Sequence, residues 1–514
     1  MQYNPEIEVC PKEDPDWDFA RNKQILLKSR IGEWSSSVFS VEVFLKGERF
    51  VGPNRDYPYQ GLLVSKGSST YKVLDGIMFS MKEGDAESVS VGAYKARYRY
   101  TSLEVDLSFS SDDDSFHMAF SEDGVRILPF FDFMRLDSSD ASDSLQIVPQ
   151  GRWLRACWVG LEVALGPFKE IQPIDYVTDW VYKLGSGLRY VDQNGYIRFV
   201  RETKKIRAPA VCTLEGKEMK VIVDPGTSAG SNEGARGEGI SNSDGSLNDQ
   251  SWMGRVYFLE PRLRDLMVLR LSTLRCFGLF VDGTWFPEAG CWWFRSPWIR
   301  DALEGIINNF QTYTRVFRWE GKIRSLAEML MEILEDKRTL PNFIGGKEHS
   351  ADGPPLLLYL CCLLGGDLRD RATSLASELL NEMEKRELVA GGPPVLRGGL
   401  VACAPHQSWT DSRVNGRACR LPSGWDEEGQ SIPKYYLPEV NGLWIRALRG
   451  LCRFAAREDL SQRLSEMEKA FRDRMWNGRF LSDIVDSEIG RRSDELTSMG
   501  MVGFVTALHL FDSH

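Results

Sequence analysis

Between Pro225 and Gln250 the chain reads PGTSAGSNEGARGEGISNSDGSLNDQ, with almost no apolar side chains, and the hydrophobic period differs on its two sides. Such a stretch carries too little apolar surface to offset the entropy of ordering it, so it reads as a flexible linker over 225–255. At 514 residues the chain also exceeds what one hydrophobic core usually accommodates. The expected organisation is a first domain over 1–224, the linker, and a second domain over 256–514.

Before the linker, from about Gln24 to Asp224, the period is that of β structure. The segment Tyr94 to Phe109, YKARYRYTSLEVDLSF, alternates apolar and polar residues on nearly every step, as a half-buried strand does. In LRYVDQNGYIRFV, Asn194-Gly195 sits between two alternating runs, and this dipeptide tolerates the positive φ of a tight hairpin. Many short strands at such spacing predict an antiparallel β-sandwich.

After the linker the period becomes helical. Helices are expected near 260–276, 298–317, 322–336, 353–364, 367–387, 438–456, 458–476 and 494–511. Glu260-Pro261 places proline in an opening turn, where its missing N–H costs nothing. Short connections between these helices predict an all-α array, interrupted by one long excursion, Leu388 to Leu437. The excursion carries His406, Trp409, Asp411, Trp425 and the acidic run from Asp426 to Glu428. A long loop on a helical scaffold is a usual place for a site.

Composition narrows the function classes. A net charge of −10 argues against nucleic acid and an anionic membrane surface as partners, since both need clustered Lys and Arg. The ten cysteines show no CxxC spacing, so no metal is expected. The opening, MQYNPEIEVCPKEDPDWDF, is acidic and lacks a secretory signal, which predicts a cytoplasmic protein with reduced thiols. The longest apolar run, Leu356 to Leu364, is about half of a membrane span.

Within the helical part, GCWWFRSPWIRDALEGIINN sets Trp292, Trp293, Phe294 and Trp298 beside Arg300 and Asp301. Indoles around an ion pair make a poor core segment, because charged side chains are buried only when paired. They suit a sugar, whose ring face stacks on an indole while guanidinium and carboxylate take its hydroxyls. An aromatic helix start with a local salt bridge is the competing reading. Three further segments stand at predicted helix starts or in the long excursion. They are RTLPNFIGGKEHSADGPPLLLYL with Asp352, HQSWTDSRVNGR with Trp409 and Asp411, and LPEVNGLWIRALR with Glu439 and Asn441.

In this order the four segments resemble the catalytic domain of glycogen debranching enzymes, the amylo-α-1,6-glucosidase family of the glucoamylase-like clan. That family runs roughly AGYPWFGDWGRD, LPNRF with YNSADAPLW, TWMDA, and GKPVEINALWYNAL. Here AGCWWFRSPWIRD, LPNFIGG with SADGPPLLLY, SWTDS and YLPEVNGLWIRAL take those places. In the first domain PYQGLLVS, Pro58 to Ser65, looks like the family's RYHGLLVA.

The resemblance implies a β-sandwich followed by an (α/α) toroid of the glucoamylase type. It further implies an inverting glycosidase that takes glucose from α-glucan branch points without metal or organic cofactor. Inversion requires a carboxylic acid and a carboxylate base roughly 6.5–9.5 Å apart. Asp411 matches the family's acid, and Trp409 would help to desolvate it. Trp293, Trp298, Arg300, Asp301, Asp352, Glu439 and Asn441 match sugar-binding or acid-positioning places. Against these stand an Asp411 that merely caps a loop, an Asp352 that is an N-cap, and a Glu439 that is a first-turn charge. His406 reads equally as a loop histidine, and Trp444 as core.

Two departures matter. Arg295, Ser296 and Pro297 replace a Gly-Asp-Trp-like run at the pocket rim. The last segment, from Phe480 to His514, resembles a region about four helices before the family's usual end, so eight helices are expected where the toroid has twelve. The catalytic base then has no candidate here. A split enzyme completed by a second polypeptide or a homo-oligomer, a shortened chain, and a non-catalytic glucan-binding or regulatory subunit all fit. So does another inverting glycosidase of the clan, such as a trehalase. The apolar stretch Met499 to Leu510 favours a partner chain that covers it.

Overall fold

The computed structural model describes residues 7–9, 24–28, 32–37, 40–53, 61–66, 69–81, 86–92, 95–110, 115–135, 146–158, 161–183, 189–191, 197–199, 201–224, 260–290, 296–409, 413–414, 417–425, 428–455 and 457–493. The linker, Asp411, Trp293 and the helix expected at 494–511 lie outside this set. The chain divides into two units, Met1–Leu279 with Gly290–Arg295, and Phe280–Ala289 with Ser296–His514.

The first unit holds two nine-stranded antiparallel sheets. One runs in the order 7–9, 86–91, 95–100, 104–109, 116–120, 218–224, 161–166, 153–158 and 146–150. The other runs 168–183, 201–214, 126–135, 69–80, 61–66, 32–37 and 24–28, with the hairpin 40–45/48–53 paired to its side. A single apolar cluster takes Trp34, Leu62, Val73 and Ile127 from the second sheet and Val89, Val105, Phe116 and Val163 from the first. The sheets therefore form a sandwich, each presenting its alternate residues to a common interior. Across that interior Trp34 stacks on Phe116 at 4.5 Å. Ser36 bridges Trp34 Nε1 at 3.2 Å and the Tyr98 hydroxyl at 2.9 Å, so the buried polar groups are satisfied.

The alternation over 94–109 belongs to two strands rather than one. Lys95–Tyr100 and Glu104–Phe109 pair as a hairpin, closed where Tyr100 N–H donates to Leu103 O at 2.8 Å. Both arms keep the period, because both lie on the same sandwich face. Arg97 Nη2 donates to Asp106 Oδ2 at 2.7 Å across the pair. The hairpin anticipated around Asn194-Gly195 has its arms, Arg189–Val191 and Ile197–Phe199, paired antiparallel; its turn residues are outside the described set. Gly61, in the GLLV motif, has φ +89°, and a Cβ there would sit 1.9 Å from Leu74 O. Only glycine lets these two strands approach so closely.

The helices fall close to their expected places. The first, α1 (Pro261–Cys276), is capped by the Glu260 carboxylate on Leu263 N–H at 3.2 Å. It belongs to the first unit.

The second unit contains α2 (Ile299–Asn308), α3 (Glu320–Lys337), α4 (Gly353–Leu364), α5 (Gly366–Lys385), α6 (Pro438–Cys452) and α7 (Glu458–Met475). Prolines open α4 and α6, and Gly365 closes α4. The helix expected over 298–317 is interrupted at Asn309, whose side-chain amide donates to Gly305 O at 2.9 Å, and resumes as a π-helical turn, Thr312–Val316. Helix α4 is apolar on nearly all sides because α2, α3, α5 and α6 all pack against it. Trp444 on α6 is core, 1% exposed.

The excursion over 388–437 is more ordered than a loop. Strands Val395–Arg397 and Leu400–Cys403 form a hairpin on Gly398-Gly399, both at positive φ, and join Tyr435–Tyr436 and Val485–Asp486 in a four-stranded sheet. No helix among the described residues is long and apolar enough to cross a membrane.

Candidate functional site

The four sequence segments meet in the second unit through a chain of hydrogen bonds. Ile299 N–H donates to Asn342 O at 2.9 Å and Ile344 N–H to Pro297 O at 3.1 Å, which ties the WIRD start of α2 to the LPNF segment. The LPNF strand Leu340–Pro341 pairs in turn with His349–Ser350, directly before Asp352. Ala351 N–H donates to Gln407 O at 2.7 Å, joining that turn to the SWTDS segment. Ser408 Oγ then donates to Glu439 Oε1 at 2.7 Å, which brings in the start of α6.

Charge sits inside this framework. Arg300, 3% exposed, places Nε 3.3 Å from Asp352 Oδ2 and donates from Nη1 to Ser408 O at 2.6 Å. Its guanidinium lies 5.5 Å from the centre of the Trp409 ring. Arg300, whose neighbour Asp301 was the expected partner, makes this long-range pair with Asp352. Asp301 is a half-buried acid in the first turn of α2.

Asp352 occupies the N-cap position of α4, yet its side chain makes no cap. Ser350 Oγ accepts from Gly353 N–H at 2.9 Å and donates to Asp352 Oδ1 at 2.6 Å, leaving the carboxylate for Arg300. Burial pushes the Asp352 carboxyl above the usual carboxylate range; Arg300 and Ser350 oppose the rise, and nearby Glu439 adds to it. With the folded value raised, the native state holds this proton more tightly than the unfolded chain. The stability it brings is complete at low pH and is lost as pH climbs from the ordinary carboxylate value through the raised one. Asp352→Asn should therefore compare progressively better with the parent as pH rises across that window. Thermal melts between acid and neutral pH check this, and a constant difference in Tm would contradict it.

Glu439 is fully buried and is gripped by Arg420, with Nη2 at 3.0 Å from Oε2 and Nη1 on Oε1. Arg420 also reaches Asp483 through Nε at 3.0 Å to Oδ2 and Nη2 at 2.9 Å to Oδ1. It donates to the Asp483 carbonyl at 2.7 Å as well. Glu439 is thus a buried partner of an arginine, beyond a first-turn charge on the helix dipole.

Asn441 is engaged with the backbone through both atoms of its amide. Its Oδ1 accepts from Val401 N–H at 2.8 Å, and its Nδ2 donates to Val401 O and Leu437 O, both at 3.0 Å. The amide acts as a surrogate strand partner that fastens Leu400–Cys403 to the start of α6.

Of the aromatics, Trp409 is 38% exposed, while Trp298 is half-buried and 5.2 Å from Phe343. His406 is buried. Trp293 and Asp411 lie outside the described residues. Ser408, Gln407, Arg420 and Asp483 were not singled out as site residues, although Ser408 and Gln407 stand inside HQSWTDSRVNGR and Asp483 inside the last segment, Phe480 to His514. Among the described residues the site thus offers one open indole, Trp409, backed by a guanidinium, beside a loop fixed by buried ion pairs. An indole so placed can stack on a ring face, and the buried groups can hold a neighbouring acid still.

No protein-family model matches the chain, and no curated protein matches it in sequence. Among solved structures, a bacterial glucoamylase complexed with acarbose is similar at TM-score 0.46 and 11% identity, covering 91% of this chain and 74% of that one. A GH78 family rhamnosidase of Bacillus sp. GL1 is similar at TM-score 0.36 and 12% identity, covering 71% of this chain and 37% of that one.

Proposed function

We propose that the chain is a glycoside hydrolase of the amylo-α-1,6-glucosidase kind, removing glucose from branch points of an α-glucan by an inverting acid/base mechanism. The observation that supports this reading is the convergence of Arg300, Asp352, Ser408-Trp409 and Glu439, drawn from four separate segments, at the first turns of α2, α4 and α6. In it Asp411, three residues after the fixed Ser408, is the general acid. Trp409 stacks on the sugar, with Trp293, Trp298 and Asp301 along the rim. Arg300 and Asp352 hold the loop from beneath, and Asn441 braces α6. No base is assigned among the described residues; in this reading it is supplied by a second polypeptide or a second copy of the chain.

The experiment is proton NMR of the sugar released from a branched α-glucan, by the chain alone and with the candidate partner. β-Glucose as first product is the expected result; α-glucose would overturn inversion, and no glucose under either condition would overturn the hydrolase reading. A binding subunit is the second reading. It is favoured by the burial of Asp352 and Glu439, both 0% exposed, which gives neither carboxylate an open face toward a sugar. In that case a glucan would quench Trp409 fluorescence without being cleaved.

A further inference from the structure

Ser408 is held at both ends: its carbonyl by Arg300 at 2.6 Å and its hydroxyl by Glu439 at 2.7 Å, with Arg420 Nη1 at 3.4 Å from the same hydroxyl. The preceding turn is equally tied. Gln407 Oε1 accepts from Ala404 N–H at 2.9 Å, and Gln407 Nε2 donates to Gly392 O at 2.8 Å. Beyond Glu439 itself, a guanidinium ties the hydroxyl side to a further segment. Arg420, 8% exposed, forks between Glu439 at the start of α6 and Asp483, whose own N–H donates to Ser493 Oγ at 3.1 Å. We infer that Arg420 is a positioning residue, which through Glu439 and Ser408 sets the Ser408-Trp409 turn, an inference that rests on the reading of Asp411 as the acid.

The reason lies in the geometry of guanidinium. A planar fork with five fixed donors satisfies two carboxylates at once, and the rigidity passes to Ser408 through one short hydrogen bond. An ammonium is a single point and cannot keep both carboxylates in register. A displacement of the acid by about 1 Å is enough to lower a rate by about 10²-fold.

The test uses the full chain, with its partner where one is needed, and two variants. Arg420→Lys keeps the charge and loses the fork; Ser408→Ala keeps the whole ion set and loses only the link. In both, kcat on the branched glucan should fall by about 10–100-fold while KM stays within about threefold, and glucosyl fluoride, whose leaving group needs little protonation, should lose far less. Equal losses on both substrates would mean a general loss of folded protein and would overturn the inference.

Amide hydrogen exchange over 406–409 provides a readout independent of activity. It should quicken by about tenfold or more in Ser408→Ala, with the helices unchanged. Unchanged exchange there overturns the positioning role, even if Arg420→Lys fails to fold. A parent that cleaves neither substrate but shows the exchange difference would remove the hydrolase reading and leave Arg420 as the group that sets the turn.

Discussion

Asp411→Asn should lower kcat on a natural branched glucan by about 10²–10⁴-fold, with sugar affinity nearly intact. The amide is close to isosteric and cannot give up a proton, so it removes only the step in which the leaving oxygen is protonated. The size of the loss depends on the leaving group. With glucosyl fluoride the departing fluoride needs little help, and the same variant should retain most of the parent rate. A pair of progress curves, one per substrate, checks both halves of the expectation. Unchanged turnover of the glucan would remove Asp411 from the chemistry.

Arg300→Met should act first on stability. It strips the positive partner from Asp352, which is 0% exposed, and releases the Ser408 carbonyl and the stacked face of Trp409 together. Removing one member of a buried ion pair costs about 3–5 kcal/mol, because the survivor stays buried without its counter-charge. The double variant Arg300→Met/Asp352→Leu should recover part of this, since two apolar side chains of similar bulk leave no charge behind. Urea unfolding of the three proteins measures the effect. A direct sugar contact by Arg300 would show the reverse pattern, with little change in unfolding midpoint and a large drop in affinity for a glucose-like inhibitor.

The architecture was legible where local chemistry and period agree. Gly353-Pro354-Pro355 and Pro438 announce helix starts with residues that fit only there, and Gly365 ends α4 at φ +70°. The sandwich was legible from period two, although that period cannot tell one strand from a hairpin whose arms share a face, as 95–100 and 104–109 do. The small sheet that joins strands of 388–437 to Val485–Asp486 was missed because its strands are two to four residues long, below the length at which alternation is visible.

The site was legible only in part, for a physical reason. Arg300, Asp352 and Glu439 sit at helix starts, where both motif and position mark them. Arg420 and Asp483 stand in irregular chain. An arginine there is by default a solvated surface group, and only its partners in space make it a buried one. Asn441 shows the same gap from the other side: its place on α6 was readable, but that its amide faces the Val401 backbone was not.

The pairing of Arg420 with both Glu439 and Asp483 bears on the order in which the molecule is made. A chain leaving the ribosome exposes Arg420 first, Glu439 next and Asp483 last, and domains generally fold as units during synthesis. Until residue 483 emerges, the guanidinium has one of its two carboxylates, and the strand Tyr435–Tyr436 lacks its neighbour Val485–Asp486. The nascent helices α2 to α6 can collapse around α4 before that moment. The Arg420 fork can close only after it, so the hydroxyl side of the turn before Trp409 is completed by a segment that is made later.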